Sequence, residues 1–146
     1  MISEIFSEDL MIPELKATTK NEVIQEMVDQ LDRSGKLIDR SAFLEAVLHR
    51  EAEYSTGIGM GVAIPHGKSN GVAAPALIFA RSRDGVDFDS MDEKPTYLFF
   101  MVAVPESAND DHLKILGALS RKLMHQSVRD QLAQAVSYEE VIAIIS

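Results

Sequence analysis

An α/β fold, built as a single domain with a mixed β-sheet flanked by helices on its faces, is predicted for this chain of 146 residues by three observations. Two stretches with helical periodicity and recognisable start signals open the chain. A near-continuous apolar run at 97–104, closed by Pro105, suits a central strand covered on both faces. Further helix starts follow that run, so helices precede, interrupt and follow a small set of strands.

Taken in order, Thr19-Lys20-Asn21-Glu22 has the spacing of a capping box. After it Val23, Ile24, Met27, Val28 and Leu31 share one helical face, and Gly35 can end the helix. A second helix is expected to start near Asp39, to bury Phe43, Leu44, Val47 and Leu48, and to run out at His49-Arg50-Glu51. A glycine-rich loop follows, then a short strand at 62–64 and another at 73–80, with Arg83-Asp84-Gly85 expected to turn the chain. The third helix is expected to begin around Asn109-Asp110-Asp111 and to bury a face made of Leu113, Leu116, Leu119, Ser120 and Leu123. Ser127-Val128-Arg129-Asp130 and Ser137-Tyr138-Glu139-Glu140 each read as a fresh helix start. No repeat, low-complexity tract or linker interrupts the chain, so one domain over 1–146 is expected.

Composition narrows the function classes. Apolar residues make up 46% and charged residues 25%, ordinary for a globular protein with a real core. There is no cysteine, which excludes disulfides, zinc-thiolate sites and a cysteine nucleophile, and fits a cytoplasmic setting. The formal net charge of −9 would repel a nucleic acid and would favour a cationic protein partner. No apolar stretch is long enough to span a membrane, and the acidic start at Met1-Ile2-Ser3-Glu4-Ile5 lacks the basic opening of a signal peptide.

The motif of greatest interest is Gly57-Ile58-Gly59-Met60-Gly61-Val62-Ala63-Ile64-Pro65-His66-Gly67-Lys68-Ser69. It is not a P-loop: Gly61 stands one residue too far from Gly67-Lys68-Ser69, and Pro65 and His66 lie in between. Nor is it a dinucleotide loop, because the glycines precede the strand instead of following one. No G-x-S-x-G elbow for a serine hydrolase occurs. A metal site from His66 and His112 with Asp110 or Asp111 has no ligand spacing to support it.

What the motif does offer is one imidazole on a stiff edge. Proline fixes its own φ and pushes Ile64 toward an extended shape, while Gly67 lets a backbone or a phosphate come close. Of the other histidines, His49 and His125 are expected near helix C-termini, where the dipole favours a protonated ring. His112 sits in the first turn of the third helix, four residues before Leu116, and so turns toward the body of the protein. An imidazole is a good nucleophile at neutral pH, and phosphoryl transfer asks mainly for in-line placement and charge neutralisation. His66 can therefore carry a phosphoryl group. Arg50 would supply charge, and His112, the hydroxyls of Ser55 or Thr56, and loop amides around Gly67 would supply hydrogen bonds. A turn histidine without a task, a capping His112 and a solvated Arg50 are equally compatible with the spacing alone.

The stretch 51–69, with Gly-Ile-Gly-Met-Gly-Val-Ala-Ile-Pro-His-Gly-Lys-Ser at its centre, resembles the enzyme IIA domain of the fructose/mannitol class of the bacterial phosphoenolpyruvate-dependent sugar phosphotransferase system. The resemblance extends to Val86-Asp87-Phe88-Asp89-Ser90-Met91-Asp92, to Val104-Pro105-Glu106 and to Asp111-His112-Leu113-Lys114-Ile115-Leu116, and so covers nearly the whole chain. Met60 stands where family members often carry a polar residue. The resemblance implies a phosphotransferase in which His66 is phosphorylated, on Nε2, by the carrier HPr and passes the group to a cysteine of an enzyme IIB domain. Through IIB it would serve a membrane IIC permease and drive sugar uptake. His112 would be the second active-site histidine and Arg50 the active-site arginine. No cofactor, metal or direct membrane insertion is implied. Two alternatives accompany this reading: a nitrogen-related regulatory IIA protein that signals by its phosphorylation state, and a module that binds small anions without a covalent step.

Overall fold

The computed structural model describes residues 2–108 and 110–146, with the side chain of Asp111 outside that set. Two short 3-10 turns, Ile2–Glu4 and Glu8–Leu10, lead into strand β1 (Met11–Ile12). Helix α1 (Lys20–Arg33) starts where the capping box lies: the Thr19 side chain accepts from the Glu22 N–H, and Gly35 beyond its end has φ +77°. All five apolar residues expected on its inner face are buried. Helix α2 (Arg40–Glu53) is capped by Asp39, which accepts from the Ala42 N–H. It buries Phe43 and Val47 and continues one turn's fraction past Glu51.

The glycine-rich segment is not a loop. It is the hairpin of β2 (Gly57–Gly59) and β3 (Val62–Ala63), joined through Met60 and Gly61, both at positive φ. A third short strand, β4 (His66–Ser69), follows at once. Next comes β5 (Ala76–Val86), which runs through Arg83-Asp84-Gly85 where a turn is expected from the sequence. The cause is an irregularity: the register with the neighbouring strand shifts between Arg81 and Val86, and Gly85 at φ +86° absorbs it. Strand β6 (Thr96–Pro105) occupies the apolar run and is buried from Leu98 to Val104 on both faces.

The six-stranded sheet has the order β1-β5-β6-β3-β2, with β4 also paired to β6. β5 is antiparallel to β6, whereas β3 and β4 both run parallel to it, so the sheet is mixed. Helices α1 and α2 pack together, on β5 and β4 respectively. Helices α3 (Asp111–Leu123) and α4 (Gln126–Gln134) pack on β6, and α5 (Tyr138–Ile145) packs on α4. The predicted α/β architecture is the observed one.

Two helix readings are corrected. α3 buries Leu119 and Leu123 as expected, but Leu113 is exposed and Ile115 lies inside in its place, so the inner stripe is shifted slightly around the helix. α4 begins at Gln126, one residue before Ser127; His125 lies just past the end of α3, as expected, its N–H donating to Lys122 O at 3.2 Å, and it also stands at the N-cap position of α4. Ser137, by contrast, caps α5 by accepting from the Glu140 N–H. Asn109, part of the expected start of α3, lies outside the described residues.

Candidate active site

His66 is the first residue of β4, in register with Val102 of β6. Pro65 breaks the strand just before it. Val102 donates to Pro65 O at 3.0 Å, and the Ile64 N–H donates to Thr56 O at 3.0 Å. The Ile64 carbonyl then faces the imidazole, and His66 Nδ1 lies 3.0 Å from Ile64 O. A carbonyl only accepts, so Nδ1 carries the proton and Nε2 keeps its lone pair.

The ring is half-buried. Burial, first, holds its pKa below the ordinary 6.5, and the charges of Arg50 and His112 push it the same way; the Ile64 carbonyl and Glu51 oppose them. The balance favours a neutral imidazole near pH 7. The same facts place Arg50 and His112 within electrostatic reach of His66, so the structure brings together three residues that lie far apart in sequence.

Arg50, in the last turn of α2, stacks its guanidinium 4.5 Å from the centre of the Tyr54 ring and donates from Nη1 to Tyr54 O at 2.7 Å. His112 lies in the first turn of α3, and its Nδ1 is shut off from solvent without a hydrogen-bond partner among the described residues. An unpaired buried nitrogen is costly, on the order of 1–3 kcal/mol, and such groups gather where function needs them.

The three residues expected to bind phosphate have other tasks. Ser55 donates its hydroxyl to Phe88 O at 2.6 Å and accepts from the Gly57 N–H at 2.9 Å. The Thr56 hydroxyl donates to Glu51, and the Thr56 N–H donates to the same carboxylate at 3.0 and 3.2 Å. Neither hydroxyl hydrogen is left for an anion. At Gly67 an added Cβ would stand 3.0 Å from Phe43 and from Val47, so its missing side chain admits α2 rather than a phosphate.

Sequence reasoning passed over Glu51. This carboxylate is buried, bonded twice by Thr56, and paired with Lys20 Nζ at 3.3 Å. A signal was present: Phe43, Val47 and Glu51 recur at intervals of four on the buried face of α2. Lys20 also reaches Asp89 at 3.4 Å and sits 4.9 Å from the centre of the Phe88 ring.

Residues 4–146 match the family described as "Phosphoenolpyruvate-dependent sugar phosphotransferase system, EIIA 2". The chain belongs to that family. It is 46% identical over 145 residues to a "PTS system fructose-specific EIIABC component" of Bacillus subtilis, covering 99% of this chain but only 23% of that much longer protein. It is 44% identical to a "PTS system fructose-specific EIIA component" of Haloferax volcanii, over 99% of this chain and 94% of the relative. Among solved structures, the nitrogen regulatory protein IIA-Ntr of Neisseria meningitidis superposes with a TM-score of 0.88 at 34% identity, covering 99% of both chains. The complex of enzyme IIAMTL with phosphorylated enzyme IIBMTL from Escherichia coli contains a chain that superposes at 0.81 with 25% identity, over 97% of this chain and 98% of that one. Family membership carries a phosphotransfer role in the sugar phosphotransferase system. Among the described residues, no helix is long and apolar enough to cross a membrane.

Proposed function

We propose that this EIIA domain relays a phosphoryl group: His66 Nε2 accepts it from the histidine of HPr and delivers it to the cysteine of an enzyme IIB domain. The observation that carries the reading is the bond between His66 Nδ1 and Ile64 O, which leaves Nε2 as the nucleophile. The lone pair of Nε2 attacks phosphorus in line, the P–N bond to the donor histidine breaks with its electron pair, and the Nδ1 proton stays on the ring. In the second half-reaction a thiolate attacks the same phosphorus and Nε2 leaves.

The remaining groups serve charge. Transfer passes through a state whose negative charge is spread over three phosphoryl oxygens. The Arg50 guanidinium offers a planar fork to those oxygens once it lets go of the Tyr54 carbonyl, and His112 offers a ring N–H from the head of α3, where the helix dipole also favours an anion. The formal charge of −9 supports encounter with a basic carrier such as HPr and acts more on rate than on affinity. The proposed setting is cytoplasmic, serving a IIC permease through IIB.

The experiment is intact-mass analysis after exposure to phosphoenolpyruvate, enzyme I and HPr. One acid-labile, base-stable phosphoryl group is expected, and His66→Ala should take up none; full labelling of that variant would refute the assignment. Arg50→Ala should fold and accept the group on the order of a hundredfold more slowly.

A second reading is favoured by the likeness to IIA-Ntr: the domain reports phosphorylation state to other proteins instead of feeding a transporter. The fructose-specific relatives, at 46% and 44% identity, support transport. Rapid transfer of the label from His66 to an IIB cysteine selects transport; a label that stays on His66 selects regulation.

A further inference from the structure

We infer that Glu51 is a positioning residue for the phosphoryl relay, acting on His66 through a chain of hydrogen bonds and through its charge. The inference rests on the function proposed for His66.

The chain is continuous. The Glu51 carboxylate accepts from the Thr56 N–H and hydroxyl. The Thr56 carbonyl accepts from the Ile64 N–H at 3.0 Å. The Ile64 carbonyl accepts from His66 Nδ1 at 3.0 Å. Each link holds the next peptide in place, and the last one sets the tautomer of the nucleophile. Both ends of the first link are buried: Glu51 is 8% exposed, and Thr56 is 4% exposed. A buried carboxylate is costly to keep, and here the bonds from Thr56 and the pairing with Lys20 compensate it.

The charge has a purpose in the chemistry. When Nε2 bonds to phosphorus and Nδ1 keeps its proton, the ring gains positive character. A carboxylate that sees the ring stabilises that state, whereas Arg50 and His112 oppose it while they stabilise the phosphoryl oxygens. Glu51 therefore balances the two cation-like partners that the transferred group requires. Lys20, facing Glu51 from α1 and itself shared with Asp89, sets how much of that field reaches the ring.

The test uses the whole domain and two substitutions of opposite sign. Glu51→Gln keeps the volume and an acceptor for the Thr56 N–H but removes the charge; Lys20→Met removes the cation that offsets it. Two readouts are taken: the rate of labelling by phosphorylated HPr, and the titration and tautomer of the His66 imidazole followed by nitrogen NMR. Glu51→Gln should slow labelling about tenfold and move the imidazole pKa down. Lys20→Met should move it up. A merely structural role would disturb both variants alike, without a change of sign.

Wild-type titration in folded Glu51→Gln, or slowed labelling with an unchanged His66 titration and tautomer, overturns the inference. Should Glu51→Gln not fold, Lys20→Met decides, and a pKa that stays or falls counts against it. A wild-type protein that takes no label defeats the relay itself, while the NMR titration still judges what Glu51 does to the ring.

Discussion

The two edges of β6 are built differently, and the difference separates what holds the domain up from what makes it react. On one edge lies β5, an unbroken partner that pairs residue by residue from Ala76↔Ala103 to Arg81↔Leu98. Its residues from Ala76 to Ala80 are fully buried, and the Phe79 ring lies 4.8 Å from that of Phe100. On the other edge the ladder is made of two short pieces, β3 against Leu98 and Phe99, and β4 against Val102 to Pro105, with Ile64 and Pro65 between them. An unbroken strand commits the carbonyls that face its neighbour to the ladder. The broken one releases the Ile64 carbonyl, and that carbonyl orients the imidazole. A strand interruption of this kind is a site-building device, because it yields a fixed acceptor that the sheet itself does not use.

The contrast can be broken from either side. The largest effect is expected on the continuous edge: Phe79→Ala should cost about 3–5 kcal/mol in urea-induced unfolding, by lost burial and a residual cavity, while the folded fraction still takes the phosphoryl label at the parent rate. Loss of labelling at full folding would mean that β5 contributes to the chemistry. Gly67→Ala attacks the interrupted edge. The new methyl meets Phe43 and Val47 at 3.0 Å, so β4 and α2 must part. An overpacking cost of about 1–3 kcal/mol is expected, together with slower labelling that exceeds what the stability loss explains. Equal rates for Gly67→Ala and the parent would show that the position of β4 against α2 does not matter to His66.

The smallest effect sharpens the comparison through pH. His66 has a folded pKa held below 6.5, chiefly by burial. Above the unfolded value both states are neutral and the residue contributes nothing. As pH falls through it, the unfolded chain takes up a proton that the folded chain refuses, and stability drops until the folded value is reached. The stability difference between the parent and His66→Gln should therefore shift against the parent as pH falls through the ordinary imidazole range near 6.5, and labelling should persist below that range. A flat difference would place the ring in an environment like water.

The legibility of the molecule followed the range of the interactions. Thr19 with Glu22, Asp39 with Ala42 and Ser137 with Glu140 are contacts within a single turn, and each helix start could be read from its own few residues. The apolar run of β6 announced a strand covered on both faces. Errors arose where a distant element chooses between local options. The spacing of α3 allows two adjacent stripes, one through Leu113 and one through Ile115, and only the seat of the helix on β6 selects the second. Arg83-Asp84-Gly85 carries turn chemistry, yet pairing of Val86 with Thr96 draws it into β5. Ser55 and Thr56 look like free hydroxyls until Phe88 and Glu51 are found to hold them.

By itself the sequence determined the α/β class, the helix caps, the central strand and the presence of one imidazole behind a proline, because these depend on periodicity and on backbone preferences a few residues wide. Tertiary structure alone decided that Nδ1 of His66 meets the Ile64 carbonyl, that Arg50 and His112 lie within electrostatic reach of the ring, and that a carboxylate on α2 is joined to it through Thr56 and Ile64. Those facts depend on groups separated by many residues, whose meeting is set by how the helices close on the sheet and by no local rule of the chain.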